Sequence, residues 1–384
     1  MITAELVRHQ PRRAASTMAK ATRARVRHGV DPAAFLMLDL QDDPASSWGD
    51  WLSYPDELEP GLRTINWAGE GKRLTVDKLV MAERLLEAGI AAPHIHAVVG
   101  RDRRAHPHEG RFPALDGVDA VVEAMAAWPD KLFVKPADGW RGDGIFGPER
   151  AESGWVVDGQ AQSDRQLAER LVREASGAGL LVQERLASDP ALHPIGGHLG
   201  MGTVRINTAL TSNGPEIVFA FAKVMGSKGL VDNFSGGKFG NMLARVDTSK
   251  GRLTEVFGRE AGRKYLMSRV ERHPVTGTPL NGFPLPRWDE AVSLAFATAR
   301  AFPEAPLIGS DVAITARGPV IIEVQSDWDA NAAQLVMERG LRPVLRDLLP
   351  RLALPDPLKK EAAEEFGLQR DRSVRRRLPR EDRA

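Results

Sequence analysis

The chain has 384 residues, room for two or three packed subdomains, and its 42% hydrophobic and 27% charged content is that of an ordinary globular protein. A net charge of +1 gives no whole-molecule field for nucleic acid or an anionic membrane, and no apolar run is long enough to span a bilayer, so neither partner is expected. The absence of cysteine excludes disulfides, thiolate metal sites and cysteine nucleophiles and fits a reducing cytoplasm. Arg8, Arg12, Arg13, Lys20 and Arg23 make the N-terminus basic, but no apolar run follows them, so a secretory leader is not expected.

In chain order, residues 1–72 read as a partly helical lead-in with Trp48, Trp51 and Trp67. Residues 73–129 open the core. A helix is predicted over 76–88, with Leu79, Ala82 and Leu86 on one face and Gly89 as its C-terminal cap. Lys78 lies in its first turn, where a cation opposes the helix dipole, which hints at a ligand role. An extended piece follows at 95–99.

Residues 130–187 read as strand, glycine-rich turn, strand, helix, strand. Lys135 ends the first strand, and Gly139, Gly142 and Gly144 follow within a few residues. Glycines let backbone N–H groups approach phosphate oxygens, and a strand-end lysine adds a mobile positive charge. The spacing is neither a Walker A loop nor a dinucleotide fingerprint, and a plain hairpin turn accounts for the glycines as well. The helix should start at Ser163, with Gln166 as its capping-box partner. Residues 188–353 contain strands at 203–210, 217–224 and 241–246, a helix at 288–302, a hairpin at 307–325 and helical residues at 333–353. Arg205 and Lys223 sit inside apolar strands, so each either reaches a sheet edge or lines a cleft. Residues 354–384 read as a charged, flexible tail rich in arginine toward its end.

The hairpin is the most informative segment. If it is symmetric about Arg317, Asp311 faces Glu323 across the strands, with Gln325 on the same face. Facing carboxylates repel unless water screens them or a hard cation joins them; Mg²⁺ takes one or two carboxylates plus substrate phosphates. The apolar alternation around these acids favours a cleft.

Taken in order, these pieces resemble the ATP-grasp superfamily. Asp77-Lys78 and Phe133-Val134-Lys135-Pro136 are similar to its two nucleotide lysines, and 138–145 to its flexible glycine loop. Leu181-Val182-Gln183-Glu184-Arg185-Leu186 is similar to the linker that holds adenine, which assigns nucleotide binding to Gln183, Glu184 and Leu186. Asp311, Glu323 and Gln325 match the metal ligands. The hairpin resembles that of the ribosomal-S6-modifying glutamate ligases, and Thr203-Val204-Arg205-Ile206 matches their upstream arginine strand. The wider pattern, with Asp232-Asn233, Gly236-Gly237 and His273-Pro274-Val275-Thr276-Gly277, resembles the sugar-transfer-associated ATP-grasp proteins over about residues 66–340.

The resemblance implies an α+β fold whose two subdomains sandwich ATP. It also implies Mg²⁺, or Mn²⁺ in its place, and a carboxylate–amine ligase acting through an acyl phosphate. Arg205 and Lys223 would serve the transferring phosphoryl group, and the substrates would be small molecules such as an amino acid or amino sugar. A small-molecule kinase and a non-catalytic nucleotide-binding module are the alternatives. Two departures stand out: Gln325 replaces the usual Asn, and Ser326-Asp327-Trp328-Asp329 replaces the usual Pro-Gly.

Overall fold

The computed structural model describes residues 2–53, 57–139, 142–259 and 262–368. Its architecture is α+β, with three sheets. Strands β1 (Ile95–Val99), β2 (Ala114–Leu115) and β3 (Leu132–Pro136) are followed by a separate antiparallel sheet of β4 (Glu149–Ala151), β5 (Gly154–Val157) and β6 (Gln160–Gln162). Strand β7 (Leu180–Glu184) then completes a four-stranded sheet in the order β2-β1-β7-β3. The helix Asp164–Glu174 packs on it through Leu167, Ala168 and Leu171, and the capping box between Ser163 and Gln166 forms as its sequence predicts. This sheet recruits β1 and β2 from the segment before residue 130, so the small unit begins earlier than the glycine pattern alone suggested.

The large sheet has seven strands: β8 (Thr203–Thr211), β9 (Gly214–Val224), β10 (Met242–Asp247), β11 (Arg252–Gly258), β12 (Ser268–Arg269), β13 (Leu307–Thr315) and β14 (Gly318–Gln325), in the order β12-β11-β10-β9-β8-β13-β14. Every residue of β13 is buried, because the sheet is covered on both faces. One face packs against the helices Trp288–Ala301 and Lys78–Glu87 through Ala291, Ala295, Val80 and Met81. The other packs against the C-terminal helices through Phe219, Trp328, Leu335 and Leu345.

Several expectations need correcting. Leu86 is 51% exposed; Leu79, Val80, Met81, Ala82 and Leu85 are the buried apolar residues of its helix, which starts only at Lys78. The end of the lead-in is part of the body, since Leu58, Leu62 and Ile65 join the core around Phe219 and Trp328. The helical stretch near 333–353 is two helices, Ala330–Met337 and Leu341–Leu348, interrupted at Glu338, whose φ is +50°. Residues just after 354 are not a flexible tail. They form the helix Asp356–Glu365, which lies on Leu58–Asn66 and ends with Phe366 fully buried against Gly61. A Cβ on Gly61 would stand 2.3 Å from the Phe366 ring, so a glycine there sets how closely the two segments approach. The arginine-rich end, 369–384, and Trp140 of the glycine loop lie outside the described residues.

Candidate active site

The hairpin loop has two residues, Ala316 and Arg317, since Thr315 pairs with Gly318. A hairpin symmetric about that loop would set Asp311 against Ile322. A bulge at Ile322 shifts the register between Asp311 and Val312, and Asp311 pairs with Glu323 after all. The sequence expectation therefore holds for these two acids, although the symmetry assumed for it does not. The same row continues onto Arg205 in β8 and Phe221 in β9, with Lys223 two residues further along that face of β9.

Asp311, 1% exposed, accepts two hydrogen bonds from Arg205, Nε to Oδ1 at 2.6 Å and Nη2 to Oδ2 at 2.8 Å. Lys223 Nζ donates to Asp311 Oδ2 at 2.8 Å and lies 3.5 Å from Asp232 Oδ1. Burial alone would raise the Asp311 carboxyl, but Arg205 and Lys223 hold it far below the usual carboxylate range. Burial would likewise lower Arg205, and Asp311 beside it keeps it above its ordinary value.

Glu323 is more open, with 29% side-chain exposure, and lies 3.5 Å from Lys78 Nζ. Gln325 Nε2 donates to its Oε2 at 3.0 Å. Burial and Asp311 would raise Glu323; Lys78 and Lys135 outweigh them and keep it below its ordinary value.

Lys78 is positioned by its neighbour. Asp77 caps the helix by accepting from the N–H groups of Leu79 and Val80, and it is held in turn by Arg101 at 2.6 Å. The Lys78 backbone N–H donates to Ala137 O, and its Nζ to Gly139 O. Lys135 projects from the small sheet to the large one, where its Nζ donates to the carbonyl of the bulged Ile322 at 3.2 Å. Burial lowers the Lys135 pKa to about 8, with Lys78 pushing the same way and Glu323 opposing.

These groups converge on one cleft of about 1230 Å³ between the two sheets. Lys78, Lys135, Gly139, Gly142, Gln183, Glu184, Leu186, Arg205, Lys223, Asp311, Glu323 and Gln325 all line it. Gly144 is not among the lining residues. Its φ of +73° and the 2.9 Å separation that a Cβ there would have from Pro136 give it a turn-forming role. The Glu184 side chain is engaged with Arg317 at 2.7 Å and with the His94 N–H.

Asp232 was noted in the sequence only as part of a pattern, yet it is a structural hub. It accepts from Thr203 N at 3.0 Å and from the Thr203 hydroxyl, beside Lys223. No spacing signal pairs residues 203 and 232. Ser326 is fixed by Trp67 Nε1 at 2.9 Å and Thr75 Oγ1 at 2.8 Å, and it lines the cleft with Asp327, Asp329 and Asn331. His273 is structural: its Nε2 meets Met225 O at 2.8 Å and its Nδ1 faces two backbone N–H groups.

The oxygen donor set on the hairpin fits a hard divalent cation. A carboxylate offers about four lone-pair positions. Arg205 and Lys223 use three on Asp311, whereas Glu323 retains most of its own. No group of three or more His, Cys, Asp or Glu suited to a metal occurs among the described residues, so phosphate oxygens would have to complete the coordination.

A family model described as sugar-transfer associated ATP-grasp matches residues 66–348. No curated protein matches the chain. Among solved structures it is similar to an ADP complex of N5-carboxyaminoimidazole ribonucleotide synthetase, at 11% identity over 70% of this chain and 52% of that one, TM-score 0.36. It is also similar to a RimK domain ATP-grasp protein from Sphaerobacter thermophilus, at 12% identity over 70% of this chain and 66% of that one, TM-score 0.34. A third is D-alanyl-alanine synthetase A from Vibrio cholerae, at 9% identity over 77% and 65%, TM-score 0.40. The chain spans between about half and two thirds of the length of these structures.

Proposed function

The chain belongs to the sugar-transfer associated ATP-grasp family, and from that premise we propose that it is an ATP-dependent ligase that activates a small-molecule carboxylate and joins it to an amine or related nucleophile. The observation that carries this reading is the convergence of four cations on two facing acids in one cleft. Lys78 and Lys135 meet Glu323, and Arg205 and Lys223 meet Asp311, an arrangement that suits triphosphate oxygens held together with one divalent cation.

In this reading Lys78, Lys135 and the backbone around Gly139 and Gly142 hold the phosphates, and Gln183, Glu184 and Leu186 hold the base. Glu323, Gln325 and one remaining position on Asp311 would hold Mg²⁺, which supplies Lewis-acid polarisation of the phosphoryl oxygens. The carboxylate oxygen of the substrate attacks the γ-phosphorus, ADP leaves, and an acyl phosphate forms. The nucleophile then attacks the acyl carbon, and inorganic phosphate leaves. Arg205 and Lys223 are preorganised by Asp311 next to the transferring group, where fixed cations stabilise developing charge without reorganising. No side-chain nucleophile is required, in keeping with a cysteine-free chain.

Incubation with ATP, Mg²⁺ and a panel of carboxylates and amines tests the proposal through phosphate release and product mass. An amide product accompanied by ADP supports it. A stably phosphorylated product points to a kinase, and nucleotide binding without turnover to a binding module. Glu323→Ala should lower turnover by about a hundredfold or more; unchanged turnover would refute the metal assignment.

A further inference from the structure

The whole-chain charge of +1 hides a strong asymmetry. Residues 1–30 carry seven Lys and Arg against one acid, a net +6; residues 31–43 add four Asp and no base. Arg13 pairs with Asp42, while Lys20 and Arg25 donate to the carbonyls of Gln41 and Gly29, so the arginines left for a partner are Arg8, Arg12, Arg23 and Arg27. The single acid of residues 1–30, Glu5, is buried and accepts from the backbone N–H groups of Lys264, Tyr265 and Leu266, which fixes the first helix, Ile2–His9, to the body. The second helix, Ala14–His28, contains no acid at all and buries Ala14, Thr17, Ala21 and Ala24. Its opposite side is exposed, and Arg23 and Arg27 stand on it one turn apart, whereas Lys20, 2.6 Å from the Gln41 carbonyl, is half-buried. Arg8, Arg12, Arg23 and Arg27 are exposed and make no ion pair among the described residues. Like charges at Arg23 and Arg27, one turn apart, repel each other and contribute nothing to the fold.

We propose that this basic helical face docks the protein onto the surface of an anionic phospholipid bilayer. Charge complementarity supplies the attraction, since arginines near an anionic leaflet bind additively within a Debye length. Two further features select a bilayer over a nucleic acid. Val7 and Val26, 55% and 66% exposed, stand among these arginines, and the apolar boundary of a membrane takes up such side chains where a phosphate backbone does not. Residues 2–34 contain no Phe, Tyr or Trp, so the face has no platform on which bases could stack. No helix among the described residues is long and apolar enough to cross a membrane, so the contact is peripheral. This inference does not depend on the ligase reading, because none of these residues lines the cleft.

The test is co-sedimentation of the full chain with vesicles of phosphatidylcholine doped with phosphatidylglycerol, against pure phosphatidylcholine. Binding should be confined to the anionic vesicles and should weaken as salt is raised. Each arginine removed, in Arg23→Gln and Arg27→Gln, should weaken partition roughly fivefold, and Val26→Ser should weaken it further. Circular dichroism on the variants reports whether the fold is retained. Equal sedimentation with neutral vesicles, insensitivity to the arginine substitutions in folded protein, or tighter binding to a single-stranded RNA oligonucleotide than to anionic vesicles would overturn the proposal.

Discussion

Lys135 is a buried ammonium that the fold makes easier to deprotonate. Its pKa of about 8 lies well below the model-compound 10.5 because burial removes it from water. Between those two values the unfolded chain binds more protons than the folded one, so ligand-free stability should rise as pH increases from 8 to 10.5, by up to about 3 kcal/mol. Nucleotide affinity should change in the opposite direction and fall above pH 8, because phosphate needs the protonated lysine. Denaturant melts and nucleotide titrations across this range check both slopes, and Lys135→Met should flatten both. Asp311 presents the reverse case. Asp311→Asn leaves Arg205 and Lys223 buried without their shared anion and should cost about 3–5 kcal/mol in chemical denaturation, since breaking a buried pair strands a charge. A loss below about 1 kcal/mol would mean that the cations find other partners.

At the scale of elements, the bulge at Ile322 decides the site. It carries Glu323 and Gln325 onto the face of Asp311 and offers the Ile322 carbonyl to Lys135. Alternation and a turn signal made the hairpin legible in the sequence, and so were the capping box at Ser163 and the strands that carry Arg205 and Lys223. The bulge itself was not legible, because an unpaired residue leaves no mark on apolar periodicity. The docking of Asp356–Glu365 was missed for a related reason: its first-to-last residues are mostly charged, and the anchor, Phe366, lies just past the helix and finds its partner three hundred residues away at Gly61. Phe366→Ala should therefore destabilise the protein by about 3–5 kcal/mol, and Gly61→Leu should also destabilise it by forcing the two helices apart. Thermal or denaturant unfolding of both variants checks this; wild-type stability in either would mean that the C-terminal helix is not part of the core.

Across the whole molecule, two sheets face one cleft, and each supplies what the other lacks. The small sheet contributes Lys135 and the glycine turn, the large sheet contributes the acids with Arg205 and Lys223, and the helix between them contributes Lys78. The sequence order of these parts identified the fold, but their mutual distances, above all the Arg205–Asp311–Lys223 cluster, exist only once β8, β9 and β13 are side by side. The substrates were not legible, since the run that lines the cleft with Ser326, Asp327, Asp329 and Asn331 matches no known pattern in the sequence, and Ser326 is fixed there by Trp67 and Thr75 far upstream. The most direct measurement uses carboxylates labelled with heavy oxygen in both positions, incubated with the protein, ATP, Mg²⁺ and an amine. Passage through an acyl phosphate moves one labelled oxygen into the released inorganic phosphate, as mass spectrometry would record. Phosphate released without label in an amide-forming reaction would contradict the account.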